Sequence, residues 1–440
     1  MSALDRFRAA VAAAPLERRI GWVRRLQGLA IEAEGPACEL GEMCSVATAN
    51  PGEQIRAEVV GMAGKQVMLM PLGPTLGIMS GAEVVALGRH ADIPVGTALL
   101  GRIVDAFGEA LDGRGPIAAS TRVALQPVAP SPMARPRIER ILETGIRSID
   151  ALLTIGAGQR IGIFAGSGVG KSTLLGMITR HAQVDVNVIA LIGERGREVR
   201  EFVEEQLGAE GRARSVVVVA TSDQPALARI RAAHAAVAMA SWFREQGRSV
   251  LLTIDSITRL AMARREVGLA AGEPATARGY TPSVFAELPQ ICERCGTSAG
   301  GGSITALLTV LVEGDDLNEP IADAMRSILD GHVVLSRELA QQGHYPPIDV
   351  LRSASRLMPV LASDAEKALA TETVRHLAAL EKHRQIVELG AYVPGANGAL
   401  DAALALEGSL FAWLRQDMGG IARATALEQL HALLGHGRAP

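Results

Sequence analysis

One glycine-rich turn between an apolar run and a helical stretch restricts the fold of this chain more than any other feature. Residues 160–178 read RIGIFAGSGVGKSTLLGMI. The glycines at 166, 168 and 170 leave room for backbone N–H groups to converge on phosphate oxygens, and the helix that follows adds its positive N-terminal end. The segment therefore predicts a strand, a phosphate-binding P-loop and a helix, with Ala165 where this motif usually has its first glycine.

A P-loop assigns roles to the residues that form it. The amino group of Lys171 is expected to bridge the β- and γ-phosphates of a nucleoside triphosphate, and the hydroxyl of Ser172 to hold Mg²⁺. The predicted nucleotide-binding residues are Gly166, Ser167, Gly168, Val169, Gly170, Lys171, Ser172 and Thr173. The run SVLLTID places Asp255 at the carboxyl end of a buried strand, where ligands gather in open α/β sheets. We expect Asp255 to reach Mg²⁺ through water; the alternative is that it only caps the next helix.

A second apolar run, VNVIALIG, ends abruptly in a dense mixture of acidic and basic residues, GERGREVREFVEEQ. We expect a buried strand next to the P-loop strand, so that Glu194 at its end faces the γ-phosphate and orients the attacking water. The later charges recur at helical spacing, which predicts a solvated, ion-paired helix face. They are Arg197, Glu198, Arg200, Glu201, Glu204 and Glu205. This stretch alone does not decide whether Glu194 is catalytic or belongs to that face.

The patterns before and after these motifs indicate separate parts. Between about residues 93 and 350, continuous apolar runs alternate with helical stretches, which predicts a parallel α/β sheet buried on both faces. Short alternating runs before it predict a small antiparallel β-barrel, and an Ala- and Leu-rich tail after it predicts helices. The predicted parts are an N-terminal docking helix at 1–18, a β-barrel at 19–92, an α/β nucleotide-binding core at 93–358 and a helical domain at 359–440.

The N-terminal segment has two interpretations. Leu4, Phe7 and Val11 share one face of a predicted helix over residues 3–15, and several arginines lie nearby. This helix could dock on a partner or on anionic lipid, or it could be a solvated terminus. It lacks the apolar h-region of a signal peptide, and no apolar run in the chain is long enough to span a membrane. A cytoplasmic location is therefore expected.

The composition argues against several other classes of protein. The net charge is −3, without the basic surplus of a nucleic-acid-binding protein, so no nucleic-acid partner is expected. The four cysteines fit a reducing compartment. Cys292 and Cys295 form a CxxC pair that could in principle bind zinc with Cys38 and Cys44 or act in redox chemistry. The segment ELPQICERCG reads as a helix, which favours ordinary packing.

Several long segments in one order resemble the catalytic-subunit family of rotary and type III secretion ATPases. They are GSGVGKST, GERGREVREF, LLTIDSITRLAMARRE, GEPATARGYTPSVFAELP and TVLVEGDDLNEPIADAMRSILDGHVVLSRELA, and the resemblance runs from about residue 20 to 415. It implies a RecA-like P-loop core that binds and hydrolyses Mg-ATP between the β-barrel and the helical domain. It also implies a homohexamer, in which each site is complete only at a subunit interface.

The resemblance also implies roles for individual residues. The Glu of GER, here Glu194, corresponds to the catalytic carboxylate, and Arg195 is expected to help hold the phosphate region. Tyr345, in GHYPPIDVL, is expected to stack on adenine. Arg356, in SASRLM, corresponds to the arginine that members insert into a neighbour's site, where such a finger contributes about 10³–10⁵ in rate. The alternative for Arg356 is a surface arginine that caps a helix.

The family divides by use, and this chain resembles the protein-export branch in TSDQPALARIRAAHAA and in RQIVELGAYVPGANGALDAALAL. The short segment LGAYVPG favours the flagellar members over those of virulence injectisomes. The implied partners are a stator-like regulator at the N-terminal helix, a central coiled-coil stalk at the helical domain, export chaperones and their substrates, and a membrane export gate. The implied location is peripheral, at the cytoplasmic face of the inner membrane.

Three alternative functions have specific observations against them. A transcription-termination RNA helicase shares the ring fold and a similar GER element, but its barrel needs aromatic residues to stack bases, and residues 19–92 contain Trp22 without Tyr or Phe. A rotary synthase subunit would have an acidic lever motif, which the C-terminal segment lacks. An inert nucleotide-binding ring subunit usually loses the catalytic Glu or the P-loop Lys, and both are present here.

Overall fold

A computed structural model describes residues 17–436 of the chain except residues 120, 313 and 315. The predicted docking helix at residues 1–18 lies outside the described residues apart from its last two positions, so it stays a prediction. In the described part, a β-barrel, a mainly parallel sheet with helices and a group of C-terminal helices follow one another along the chain.

Six antiparallel strands close into the N-terminal barrel. They are β1 (Ile20–Gln27), β2 (Ala30–Glu34), β3 (Glu42–Ala47), β4 (Gln54–Ala63), β5 (Gln66–Pro71) and β6 (Glu83–His90), in the order β1-β2-β5-β4-β3-β6 around the barrel. Side chains alternate between the two faces of a strand, so Ile55, Ala57 and Val59 of β4 all lie in the barrel interior. The predicted β-barrel is confirmed.

A nine-stranded sheet forms the centre of the molecule. The remaining strands of the described residues are β7 (Asp92–Val95), β8 (Ile103–Val104), β9 (Thr121–Ala124), β10 (Ile141–Leu142), β11 (Ile155–Gly156), β12 (Arg160–Ala165), β13 (Val186–Ile192), β14 (Ser215–Ala220), β15 (Ser249–Asp255), β16 (Gly296–Thr297), β17 (Ser303–Leu311), β18 (Gly331–Leu335) and β19 (Ile348–Ser355). The sheet order is β19-β18-β12-β17-β15-β13-β14-β8, with β16 beside β17. The ladders from β18 to β8 are parallel and that of β19 is antiparallel, so the predicted parallel α/β sheet is confirmed.

The sheet order corrects one prediction. The strand that leads to Glu194 is β13, and it does not lie next to the P-loop strand β12, because β17 and β15 separate them. Runs of apolar residues mark each strand but carry no signal for its lateral partner. Glu194 still lies at the same edge as the P-loop, because the carboxyl ends of parallel strands meet at one edge of the sheet.

Helices cover both faces of this sheet. They are α1 (Arg147–Leu152), α2 (Lys171–His181), α3 (Gly196–Glu201), α4 (Gly208–Ala213), α5 (Ala226–Glu245), α6 (Ile257–Ala270), α7 (Pro282–Arg294), α8 (Pro320–Ile328), α9 (Arg337–Gln341), α10 (Met358–Leu361), α11 (Asp364–Glu388), α12 (Gly398–Leu414) and α13 (Arg423–His436), with a π-helical turn at Phe202–Leu207 between α3 and α4. Along β13, Val188 and Ala190 pack in one hydrophobic core, whereas Ile189 and Leu191 pack in another. Continuous apolar strands are what such two-sided burial requires.

The C-terminal part consists of helices α11, α12 and α13, as predicted for the tail. Ser363 and Glu366 form a capping box at the start of α11, which satisfies backbone N–H groups there. The Arg423 guanidinium lies 2.6 Å from the Glu366 carboxylate and ties α13 back to α11. Among the helices of the described chain, none has the length and apolar character needed to cross a bilayer.

The two cysteine pairs lie in different hydrophobic cores. Cys44 is buried in the barrel with Cys38 packed nearby, whereas Cys292 and Cys295 are buried against the central sheet. Cys292 lies in α7, which confirms the helical interpretation of that segment. Burial raises the pKa of both the Cys292 and the Cys295 thiol, which favours the protonated form. Within residues 17–436 as described, no three His, Cys, Asp or Glu side chains are grouped to hold a metal ion.

Candidate active site

The P-loop joins the end of β12 to the start of α2. β12 ends at Ala165 and α2 begins at Lys171, which confirms the predicted strand, turn and helix. Gly168 and Gly170 have φ angles of 75° and 93°, a left-handed conformation that glycine adopts without strain. A Cβ atom on Gly170 would lie 3.6 Å from the ring of Tyr345, so this ring packs closely against the loop at Gly170. The glycines thus shape both the loop and its contact with Tyr345.

One cation and two carboxylates meet beside the loop. The Lys171 ammonium donates a hydrogen bond to Asp255, and its Nζ atom lies 3.5 Å from Glu194 Oε1. The side chains of Lys171, Glu194 and Asp255 are 11%, 13% and 3% exposed. Three strand ends, those of β12, β13 and β15, therefore bring together the three residues that the sequence singled out.

Burial and neighbouring charges set the protonation states of this cluster. Burial lowers the pKa of Lys171, but the charges of Asp255 and Glu194 outweigh it and leave the pKa above its usual value, so Lys171 stays cationic. Burial raises the pKa of Glu194 to about 7; the Lys171 charge opposes this shift, and the Asp255 charge and a hydrogen bond with Glu198 add to it. A carboxyl group that titrates near neutral pH is suited to proton exchange with a reacting water.

Arg259 is a site residue that the sequence reasoning missed. Its charge lowers the pKa of Glu194, and its Nε atom is buried without a hydrogen-bond partner among the described residues. Its side chain packs on Gly193, where an added Cβ would lie 3.0 Å from the Cβ of Arg259. One signal was available: Arg259 stands in the first turn of α6, where a cation opposes the helix dipole unless an anion lies nearby.

A cavity of about 420 Å³ lies beside the P-loop helix. Thr173 and Met177 of α2 form one wall, and Tyr345 and Met418 contribute to the others. Tyr345 is 49% exposed, so much of its ring is free to contact a ligand. The size falls within the range of about 300–1,000 Å³ typical of small-molecule pockets. The structure thus places Tyr345 next to the P-loop, and its stacking on adenine stays a prediction.

Arg195 and Arg356 are not part of this cluster. Arg195 precedes α3, and its exposed guanidinium lies 3.2 Å from Glu198. Arg356 follows β19, and its backbone N–H donates to the Asp330 carbonyl beside Arg160, the first residue of β12. The P-loop follows the last residue of β12, about 16 Å away at the rise of a β-strand. Arg356 therefore lies at the amino edge of the sheet, out of reach of the P-loop of its own chain.

The charges that follow Glu194 form the exposed helix face that their spacing predicts. Arg197 pairs with Glu201 at 2.8 Å and Arg200 pairs with Glu204 at 2.9 Å, each four residues apart. All four side chains are largely exposed to solvent. Glu198 is an exception, because its side chain also contributes to the raised pKa of Glu194. These exposed ion pairs stabilise the helix and do not contribute to the phosphate site.

The fold and this site define a P-loop nucleotide-binding protein with a RecA-like core. Residues 145–355 match the nucleotide-binding domain of the ATP synthase alpha/beta family, and residues 23–88 match the β-barrel domain of that family. Residues 362–432 match the C-terminal domain of the type III secretion ATPase EscN. The chain belongs to the ATP synthase alpha/beta family, in its type III secretion ATPase branch.

Curated relatives and solved structures agree with this assignment. The flagellum-specific ATP synthase of Bacillus subtilis is 50% identical over 91% of each chain, and the type 3 secretion system ATPase of Xanthomonas euvesicatoria is 49% identical over 88% of this chain and 87% of its own. The assembled ATPase EscN from the type III secretion system of enteropathogenic E. coli has a TM-score of 0.89 at 41% identity, covering 94% of this chain and 100% of that chain. EscN in complex with its central stalk EscO has a TM-score of 0.86 at 40% identity, with the same coverage.

Proposed function

We propose that this chain hydrolyses Mg-ATP at the site formed by Lys171, Glu194 and Asp255, and that hydrolysis energises type III protein export. The observation that carries the proposal is the buried group of one cation and two carboxylates at the mouth of a P-loop. The relatives named above support an ATP-hydrolysing function, and the charge group provides the chemistry for it.

Nucleotide binding begins with the P-loop backbone and Lys171. The backbone N–H groups of residues 166–173 and the N-terminal end of α2 receive phosphate oxygens, and Lys171 leaves Asp255 to contact the β- and γ-phosphates. Tyr345 stacks on the adenine ring in the neighbouring cavity. These contacts hold the γ-phosphate at the carboxyl edge of the sheet, close to Glu194.

The residues present fit a magnesium ion. Ser172 offers an exposed hydroxyl at the start of α2 and Asp255 offers a carboxylate, and Mg²⁺ prefers such oxygen donors. When bound, the ion would shield the charge of the phosphates during transfer. Ser172 would hold the ion directly through its hydroxyl oxygen, and Asp255 would hold it through a water molecule.

Glu194 orients the water that attacks the γ-phosphate. As a carboxylate it accepts a hydrogen bond from that water and aligns it for in-line attack. Arg259 lies close enough to influence the charge of Glu194, and its own positive charge would attract a phosphate group bound there. Arg195 is proposed to turn from Glu198 toward the phosphate region when nucleotide binds.

A ring of subunits completes the site. Arg356 lies at the edge of the sheet opposite the P-loop, so its proposed contact with a γ-phosphate requires a neighbouring chain. The similar EscN protein is an assembled ATPase, which supports an oligomer here, and we propose that this oligomer is a homohexamer. In such a ring the Arg356 side chain of one protomer stabilises transition-state charge in the site of the next.

The proposed branch is flagellar export, with the injectisome as the second candidate. Flagellum-specific and injectisome relatives match at 50% and 49% identity, so identity does not separate them, and the LGAYVPG segment is what favours the flagellar branch. By analogy with EscN and its stalk EscO, a central stalk is proposed to contact the helical domain. A stator-like regulator, export chaperones with their substrates and a membrane gate complete the proposed partners, at the cytoplasmic face of the inner membrane.

The enzymatic proposal is tested with purified protein. We expect release of phosphate from ATP that depends on Mg²⁺, loss of that activity in Lys171→Ala, and parent activity in Lys367→Ala, which removes a half-buried lysine paired with Asp364 far from the P-loop in sequence. A Lys171→Ala protein that hydrolyses ATP at the parent rate would show that the P-loop is not the reacting site.

The biological proposal is tested in cells that lack the gene. We expect loss of swimming motility, restored by the parent gene and not by Lys171→Ala. Intact swimming together with loss of injectisome secretion would instead assign the chain to the second candidate.

A further inference from the structure

Thr309 bridges the two strands that carry the phosphate-side residues. It lies on β17, which separates the P-loop strand β12 from the Asp255 strand β15. Thr309 pairs with Ile163 of β12, and its neighbour Leu308 pairs with Ile254 of β15. Its side chain is fully buried, and its hydroxyl donates a hydrogen bond of 2.7 Å to Asp255 Oδ1.

We propose that Thr309 is a positioning residue for Asp255 that holds this carboxylate in the orientation needed for Mg-ATP. The inference rests on the proposed function, because it concerns the metal-side carboxylate of the same site. Thr309 would itself touch neither nucleotide nor metal, and would act through Asp255.

The geometry of the hydroxyl supports this role. The Thr309 hydroxyl has one proton, and its two acceptors within reach are Asp255 Oδ1 at 2.7 Å and the Ile254 carbonyl at 3.3 Å. A hydroxyl bond to a carboxylate at about 2.5–2.7 Å is charge-assisted and stronger than a long bond to a neutral carbonyl. The proton therefore belongs to the bond with Asp255.

The bond becomes more important when nucleotide binds. In this structure Asp255 Oδ1 also accepts a hydrogen bond from Lys171. Once Lys171 moves to the phosphates, Asp255 loses that cation while its own side chain, 3% exposed, remains shielded from bulk water. The Thr309 hydroxyl is then the donor that keeps the buried carboxylate from rotating. Removal of such an outer partner costs about 10- to 100-fold in metal affinity or activity.

The same strand offers a matched control. Thr305 is also fully buried, and its hydroxyl accepts a hydrogen bond of 2.8 Å from the Gly158 N–H. It stands four positions before Thr309, so both side chains lie on one face of β17, about 13 Å apart along the strand. Thr305→Val and Thr309→Val thus make the same chemical change in the same strand, and only the second alters a partner of Asp255.

The test measures magnesium dependence in two ways. At saturating ATP, we expect Thr309→Val to need about 10- to 100-fold more Mg²⁺ for half-maximal hydrolysis, and Thr305→Val to stay within threefold of the parent. With a fluorescent ATP analogue, affinity in EDTA should stay within threefold for both variants, while the tightening caused by Mg²⁺ should be lost in Thr309→Val. Thr309→Ser keeps the hydroxyl and should restore both readouts to within threefold of the parent.

Three results would overturn the inference: parent magnesium dependence in Thr309→Val, an equal shift in Thr305→Val, or no rescue by Thr309→Ser. If Thr309→Val does not fold, Thr309→Ala and Thr309→Ser carry the comparison, because they differ only in the hydroxyl. The parent protein in the same assay separates this inference from the proposed function. An inactive parent contradicts the proposed function, whereas an active parent with an unaltered Thr309→Val contradicts the role of Thr309 alone.

Discussion

Glu194 and Glu201 stand one short helix apart, and each has a basic partner, yet their environments differ. Glu194 is 13% exposed beside Lys171, whereas Glu201 is 47% exposed and pairs with Arg197 in solvent. Burial raises the pKa of Glu194 to about 7, while an exposed pair contributes only about 0.3–0.5 kcal/mol to a helix. Two acids that look alike in sequence thus differ in chemistry because one ends a buried strand and the other lies on a solvated helix.

The largest expected effect concerns Arg356, because this residue is exposed in one chain and is nevertheless proposed to act in catalysis. Arg356→Ala should lower ATP hydrolysis by about 10³–10⁵, because the missing guanidinium no longer stabilises charge in a neighbour's site. Arg200→Ala removes another exposed arginine, from the helix face, and should stay within twofold of the parent. Steady-state phosphate release at one protein concentration measures both.

Arg356 also predicts a dependence on protein concentration. Since the residue acts between chains, hydrolysis per chain should rise steeply as the protein assembles and should fall on dilution. Mass photometry or light scattering on the same samples gives the oligomeric state. Constant hydrolysis per chain down to the monomer would contradict the neighbour's role.

Glu194→Gln tests the buried side of the comparison. The amide no longer accepts a proton from the attacking water, so hydrolysis should fall by about 10²–10⁴. Glu201→Gln, the matched change on the exposed helix, should leave hydrolysis within twofold of the parent. Equal losses in the two variants would show that burial does not distinguish these acids.

The pH dependence sharpens the same comparison. Glu194 acts as a carboxylate, so kcat/KM should rise with pH through about 7, and about a tenth of the sites should be active one pH unit below that midpoint. A hydrogen bond with Glu198 adds to the raised pKa of Glu194. Glu198→Ala should therefore move the acidic limb of the kcat/KM profile, the part that rises with pH, to lower pH. Glu204→Ala should leave the limb in place. A limb that moves to higher pH in Glu198→Ala would contradict the assigned interaction.

The smallest expected effect lies on the helix face. Arg200→Ala removes the exposed pair with Glu204 and should lower stability by about 0.3–0.5 kcal/mol. The difference should shrink as salt screens the parent's pair. Thermal unfolding of parent and variant at low and high salt measures it. A salt-independent loss of several kcal/mol would show that the face has a further structural partner.

Local patterns made much of the fold predictable from sequence. The P-loop depends on glycines within one short segment, and each central strand is a continuous apolar run, so both were readable without a structure. Strand β19 was missed because it is an edge strand with polar residues such as Arg352 and Ser353, and β8 because it has two residues. The order of the strands in the sheet could not be predicted from the sequence, because an apolar run does not indicate which strand pairs with it.

The candidate site was likewise predictable from local sequence patterns but not where it depends on which elements lie side by side. Lys171 was predicted from the P-loop motif, and Glu194 and Asp255 were predicted at the ends of buried strands; the structure brings the three together. Thr309 and Arg259 were missed because their contacts depend on which strand and helix lie beside Asp255 and Glu194. The contact of Arg195 with phosphate stays a prediction, because its side chain faces solvent beside Glu198.

The most direct measurement of the central claim is the identity of the nucleotide that remains bound to Glu194→Gln. Radiolabelled ATP is mixed with assembled protein and Mg²⁺, the complex is separated after one parent turnover time, and the bound nucleotide is analysed. If Glu194 orients the attacking water, the parent should hold mainly ADP and Glu194→Gln should hold intact ATP at comparable occupancy. Bound ADP in Glu194→Gln at the parent level would show that another group performs this step.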